Sequence, residues 1–160
     1  MIEVEYAIFL PDGASLSETE LPPTEDAIRA LIPDFAGAGG ALIIRSPGAP
    51  DTVFADTLRI LIHTFCLSGL ADLLRDGQQF IDFFDHEETA RITIAGPTIT
   101  FAGDQIETVS LPLADYIVAQ RACGDRYVTL ARRLWHAEPN RADSLAELES
   151  GLAQAAAAAG

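Results

Sequence analysis

The sequence contains no lysine. All ten of its basic residues are arginine, and they face 24 aspartates and glutamates, which gives a formal net charge of −14. Binding to the phosphates of DNA or RNA needs a concentrated positive surface, and anionic membranes attract the same positive side chains. The charge balance therefore argues against both and favours a basic protein partner, because an acidic surface accelerates that encounter. The alternative is that the acidity serves solubility alone.

Cysteine is scarce, and long apolar runs are absent. Cys66 and Cys123 are too few for a disulfide framework, so we expect two buried, reduced thiols. No apolar run approaches the roughly 20 residues of a membrane-spanning helix. The first residues show a strand-like pattern with acids, not the basic and then apolar pattern of a secretory signal. We therefore expect a cytoplasmic protein without membrane contact.

The usual catalytic motifs are also missing. The glycine-rich segment Gly37-Ala38-Gly39-Gly40 precedes a predicted strand, whereas a phosphate-binding loop must precede a helix. The chain has no Gly-x-Ser-x-Gly motif, and none of its three histidines has an evident nucleophile partner. We therefore predict no enzymatic activity and no cofactor.

What is present predicts one globular domain. The chain has 160 residues, of which 49% are hydrophobic, enough for a single core. Alternating apolar residues predict strands, and three-to-four-residue spacings predict amphipathic helices. The expected fold class is α+β, a mainly antiparallel sheet packed against several helices. We expect the domain to span residues 1–150, and the alanine-rich residues 151–160 to form a frayed tail.

The pattern along the chain places the elements. Strands are predicted at 2–10 and 41–45, and an antiparallel meander at 79–110. Thr24 is the expected N-cap of a short helix that Pro33 ends. A long apolar helix is predicted over 52–74, with a possible break at Ser68-Gly69 and an end at Gly77. A further helix is predicted from Pro112 to Trp135, and a last one is capped by Asp143 or Ser144.

The segment 80–84 is an aromatic strand with two interpretations. Alternation puts Phe80, Asp82 and Phe84 on one face and Ile81 and Phe83 on the other. Because both faces carry apolar side chains, the ordinary interpretation is a central strand covered by helices. The alternative is an exposed aromatic anchor ringed by acids, as in protein-interface hot spots.

The densest polar cluster runs from Asp82 to Glu88 and overlaps the end of this strand. Its spacing matches neither a helical histidine pair nor an EF-hand calcium loop, so an exposed turn is the simpler interpretation. Two further acids mark the strand near 105–110. The candidate partner-binding residues are therefore Asp82, Asp85, His86, Glu87, Glu88, Asp104 and Glu107.

A metal site is the chemical alternative. His63 and Cys66 lie three residues apart on a predicted helix, and Cys123 and His136 could complete a tetrahedral set. A metal-dependent enzyme would combine His63, Cys66, Asp82, Asp85 and His86. Since His63 and Cys66 lie on an apolar stripe, a core histidine and a buried thiol explain them more simply.

The order of elements over 56–135 carries a resemblance. It comprises the aromatic run 80–84, short strands at 92–94 and 99–101, the acid-marked strand 105–110, the helix opening Leu111–Tyr116, Arg126-Tyr127-Val128, and Leu134-Trp135. This arrangement resembles the cytoplasmic immunity proteins that accompany polymorphic bacterial toxins. The resemblance implies stoichiometric binding of a cognate, basic toxin domain. The alternatives are the metal-dependent enzyme and a regulatory adaptor domain within a larger assembly.

Overall fold

Two four-stranded antiparallel sheets form the β part of the protein. The computed structural model describes residues 1–83 and 87–160. The first sheet has the order β2-β1-β3-β4, and the second is a meander in the order β5-β6-β7-β8. The strands are β1 (Glu3–Phe9), β2 (Ser15–Ser17), β3 (Gly39–Arg45), β4 (Thr52–Thr57), β5 (Gln78–Asp82), β6 (Thr89–Ala95), β7 (Thr98–Gly103) and β8 (Val109–Pro112).

Helices cover the inner faces of both sheets. α2 packs on β3 and β4, α4 contacts β1, β7 and β8, and α5 packs on α3 and α4. The helices are α1 (Glu25–Leu31), α2 (Leu58–Cys66), α3 (Ser68–Asp76), α4 (Leu113–Trp135) and α5 (Ala142–Ala159), with short 3-10 turns at Glu18–Glu20 and Pro139–Arg141. The α+β fold class and its single domain are confirmed.

Local signals end the helices where expected. The Thr24 hydroxyl accepts a hydrogen bond from the Ala27 N–H and caps α1. Gly77 adopts a left-handed conformation (φ 72°) directly after α3, which suits glycine because it has no Cβ. The last helix differs from expectation: it begins at Ala142, one residue before Asp143, and no side chain caps it.

Aromatic side chains join the two sheets in one core. Phe54 on β4 stacks on Phe65 of α2 at 4.6 Å between ring centroids and lies 6.1 Å from Phe101 on β7. Phe101 in turn packs on Tyr116 of α4 at 5.4 Å. Large buried rings contribute much of the apolar stabilisation of a core of this kind. These contacts fix how the second sheet sits beside the first.

Two sequence predictions about elements are wrong. The predicted helix over 52–74 begins only at Leu58, because residues 52–57 form β4 and pair with β3, with Phe54 opposite Leu42. The break near Ser68-Gly69 is observed, and it separates α2 from α3 at Leu67. Residues 151–159 are not a separate frayed tail: they complete α5, and Ala155 is fully buried.

Over residues 1–83 and 87–160, no helix combines the length and hydropathy that a membrane crossing requires.

Candidate functional surface

An exposed aromatic residue marks the outer face of the second sheet. β5 is an edge strand, so the expectation that it is central and covered on both faces is wrong. Ile81 is buried and Phe83 stacks on Phe54, whereas Phe80 points outwards with 60% of its surface exposed. The alternation expected from the sequence is therefore present among the described residues, but only one face of β5 is covered.

Acidic side chains lie beside Phe80 on the same face. Asp82 lies two residues after Phe80 on β5, so both side chains point to the same face. Asp82 is opposite Thr89 of β6. The Thr89 hydroxyl donates to Asp104 Oδ2 at 3.1 Å, which joins the end of β7 to this row. Phe80 itself lies opposite Arg91, and Arg91 opposite Ala102. The structure thus brings Asp82 and Asp104 together, although 22 positions separate them in the sequence.

A second apolar feature lies at the same end of the second sheet. Two depressions of about 280 and 260 Å³ share Val53, Gln105 and Ile106, and we call them together the Val53 groove. Val53 is 48% exposed at its centre. Glu88 lines one depression, and Glu107 lines the other. This groove therefore pairs an apolar centre with acids from two separate loops.

The remaining candidate residues divide into two groups. Glu87 is exposed directly before Glu88 and β6, so it lies at the same sheet end. The predicted site residues Asp85 and His86, with Phe84, lie outside the described residues. Of the seven candidates, the structure therefore places five around one end of the second sheet: Asp82, Glu87, Glu88, Asp104 and Glu107.

An ion-pair chain borders the Val53 groove on the side of the first sheet. Arg45 lies 2.8 Å from Glu5 Oε1 and 3.2 Å from Asp51 Oδ2. The hydrogen bond that the Arg45 guanidinium donates to Glu5, together with the attraction of both carboxylates, raises the pKa of that guanidinium. Asp51 lines the groove, so part of its negative charge there is already neutralised.

The ligands of the alternative metal site do not converge. Cys66 Sγ donates to Gln120 Oε1 at 3.0 Å, and both Cys66 and Cys123 are buried free thiols. Burial raises the pKa of the Cys66 thiol well above its ordinary value, and burial lowers the pKa of His63. His136 directly follows the last residue of α4, where its Nδ1 lies 2.9 Å from the Arg133 carbonyl oxygen. Within the described ranges, no three potential ligands approach one another closely enough to hold a metal ion.

Sequence reasoning missed the contribution of β4 to this surface. The sequence pattern predicts a helix over Val53, although Thr52, Val53 and Thr57 are β-branched. Those β-branched residues are the available strand signal, because burial alternates along β4 but polarity does not. Gln105 and Ile106 carried no distinctive pattern.

No family model, no curated protein and no solved structure matches this chain.

Proposed function

We propose that this protein is an acidic protein-binding module that inhibits a basic partner by stoichiometric binding, the role of an immunity protein. The observation that carries the proposal is Phe80, a large aromatic side chain exposed on an outer sheet face with Asp82 and Asp104 beside it. Interface hot spots combine such an apolar anchor with a polar surround.

The acids near Phe80 suit a basic partner, although the residue directly opposite Phe80 on β6 is Arg91. Asp82, Asp104 and Glu107 form no ion pair with an arginine of residues 1–83 or 87–160, so their charges stay available to a partner. Long-range attraction to these acids would speed association, and burial of Phe80 would slow dissociation. The Val53 groove adds a second apolar centre at the same end of the second sheet, on the side of Phe83 and Ala90.

The experiment tests binding and inhibition together. The chain is co-expressed with the protein encoded by the adjacent gene, and growth arrest by that protein and the dissociation constant of the purified pair are measured. We expect the chain to relieve the arrest. Replacing Phe80 by alanine should weaken binding by about 30-fold, the effect of losing a hot spot of about 2 kcal/mol.

A matched control separates the anchor from general apolar exposure. Phe9 is 43% exposed on the outer face of the first sheet, so Phe9→Ala should leave the affinity within about twofold. Equal effects of the two substitutions would contradict the proposed anchor. Binding without relief of growth arrest would contradict inhibition and favour an adaptor.

A further inference from the structure

The edge of β1 is only half covered by its neighbour β2. On that side β2 pairs with Ala7, Ile8 and Phe9 alone, whereas on the other side β3 pairs with residues 3–8. Among the described residues, therefore, no strand lies beside residues 3–6 of β1 on the β2 side. An uncovered strand edge is a template for another extended segment.

The alternation of backbone groups along β1 shows which N–H and C=O groups point to this open edge. Leu10 N–H donates to Ala14 O across the β1–β2 hairpin, and Tyr6 N–H donates to Glu18 Oε1. In an antiparallel strand, residues two apart direct their N–H and C=O groups to the same side. Val4 N–H and C=O therefore face the open edge as well.

A side-chain ion pair occupies part of this edge. Arg126 Nη2 donates to Val4 O at 2.7 Å, and Arg126 Nε donates to Glu18 Oε2 at 2.7 Å. The Glu18 side chain is only 8% exposed, and its hydrogen bond to Arg126 raises the pKa of that guanidinium. Arg126 and Glu18 thus make the hydrogen bonds to Val4 O and Tyr6 N–H that a longer β2 would make. Among the described residues, no side chain and no loop carbonyl accepts from Val4 N–H.

A groove of about 670 Å³ separates this edge from α4. Its floor is apolar, with Ile2, Val4 and Ala119, and Val118 of α4 projects into it with 68% of its surface exposed. A second depression of about 460 Å³ continues from Val118 and Ala122 towards Leu152 of α5. We call the first of these depressions the β1–α4 groove.

The charge of the β1–α4 groove is negative. Glu3 and Asp115 line it, and neither forms an ion pair with an arginine in the part of the chain that the structure describes. The positive charge of Arg126 is already neutralised by Glu18. A ligand for this groove therefore needs positive side chains next to apolar ones.

We infer that the β1–α4 groove binds an extended segment of a partner protein in which arginine or lysine alternates with apolar residues. Alternation suits the groove because the side chains of a strand point to opposite faces. The apolar side chains contact Val118 and Ala119, the basic ones on the opposite face reach Glu3, and a carbonyl of the segment accepts from Val4 N–H. The Phe80 face plays no part in this site, so the inference stands independently of the proposed function.

The test uses a capped hexapeptide, Arg-Val-Arg-Val-Arg-Val, and its counterpart Glu-Val-Glu-Val-Glu-Val. Both are titrated into the ¹⁵N-labelled protein while amide chemical shifts and the exchange rate of Val4 N–H are followed. The basic peptide should shift the amides of residues 2–5 and 115–122 and slow the exchange of Val4 N–H at least threefold. The acidic peptide should do neither.

Two exposed valines provide a matched pair of variants. Val118→Arg places a positive charge in the β1–α4 groove, and Val53→Arg places one in the Val53 groove instead. Val118→Arg should weaken binding of the basic peptide at least tenfold, whereas Val53→Arg should leave it within about twofold. Both valines are on the surface, so equal melting temperatures will show that each variant is folded.

Three results would overturn the inference: no shift at residues 2–5 and 115–122 with about 1 mM basic peptide, equal binding of the acidic peptide, or unchanged exchange of Val4 N–H in the bound state. None of these readouts depends on Phe80. Failure here and failure of the inhibitor proposal are therefore distinguishable.

Discussion

At the scale of single residues, Gly69 decides how two helices meet. Leu67 joins α2 to α3 with φ −116° and ψ −124°, a conformation outside both helices. A Cβ atom on Gly69 would lie 2.7 Å from Thr64 Cα and closer still to the Thr64 carbonyl oxygen. Because these are backbone atoms, they cannot turn aside as a flexible side chain could. Glycine thus allows α3 to start directly against the last turn of α2.

Replacing Gly69 by alanine should therefore destabilise the fold, although alanine is the better helix former by about 1 kcal/mol. We expect the free energy of unfolding to fall by about 1–3 kcal/mol, the usual cost of forcing an extra group into a packed site. Urea denaturation measures the change. Ser68→Ala, one residue earlier, should stay within about 0.5 kcal/mol. A Gly69→Ala protein as stable as the unmodified one would show that α3 is not held in this place.

At the scale of elements, α5 shows why a low-complexity segment can be ordered. Its last two turns are nearly all alanine, and sequence alone predicts fraying. Small residues instead allow close packing: a Cβ on Gly151 would lie 3.0 Å from Leu67 Cβ at the α2–α3 junction. Leu148 and Ala155 are fully buried on the same face of the helix. The tail is thus part of the core.

Deleting residues 152–160 should consequently lower the free energy of unfolding by about 1–3 kcal/mol, because Leu152 and Ala155 lose their apolar contacts. Thermal and urea denaturation both report this change. Deletion of residues 157–160 alone removes mostly exposed positions and is the control, with an expected change below about 0.5 kcal/mol. Equal stability of the two truncated proteins would restore the original expectation of a frayed tail.

At the scale of the whole molecule, arginine pairing leaves the negative charge unevenly balanced. Arg133 binds Glu25 Oε1 and the Pro23 carbonyl, and Arg29 donates to the Leu134 carbonyl. Arg141 lies over the Trp135 ring at 5.8 Å. These arginines fasten α1 and the chain after α4 to the end of that helix. Among the described residues, by contrast, no arginine forms an ion pair with Asp82, Asp104 or Glu107 at the end of the second sheet, or with Glu3 or Asp115 in the β1–α4 groove.

This imbalance predicts how stability responds to salt. Exposed ion pairs contribute about 0–1 kcal/mol each, whereas a net charge of −14 opposes the compact state through self-repulsion. Raising NaCl from about 10 to about 300 mM should screen this repulsion and raise the melting temperature by about 2–4 °C. Scanning calorimetry tests it. Glu87→Gln with Glu107→Gln should show a smaller rise, and a falling melting temperature would mean that the ion pairs dominate.

Several features could be predicted because the signals that encode them are local. Thr24 caps α1, Gly77 ends α3, and the alternation of residues 92–101 yields the β6–β7 hairpin. Each depends on neighbours in the chain, on the conformational freedom of glycine or on a side-chain period of two. That Phe80 and Asp82 share one face of β5 could also be predicted, because side chains alternate between the two faces of a strand.

Tertiary structure alone decided the rest. Residues 52–57 are apolar enough for a helix, but pairing with β3 makes them a strand. Phe80 is exposed because no described element covers the outer face of β5, which depends on how the elements pack and not on composition. Sequence thus determined the acidity, the α+β class, the cap of α1 and the end of α3, since these follow from single residues and their neighbours. The fold decided which acids meet and which apolar faces stay open, because both depend on contacts between residues far apart in the chain.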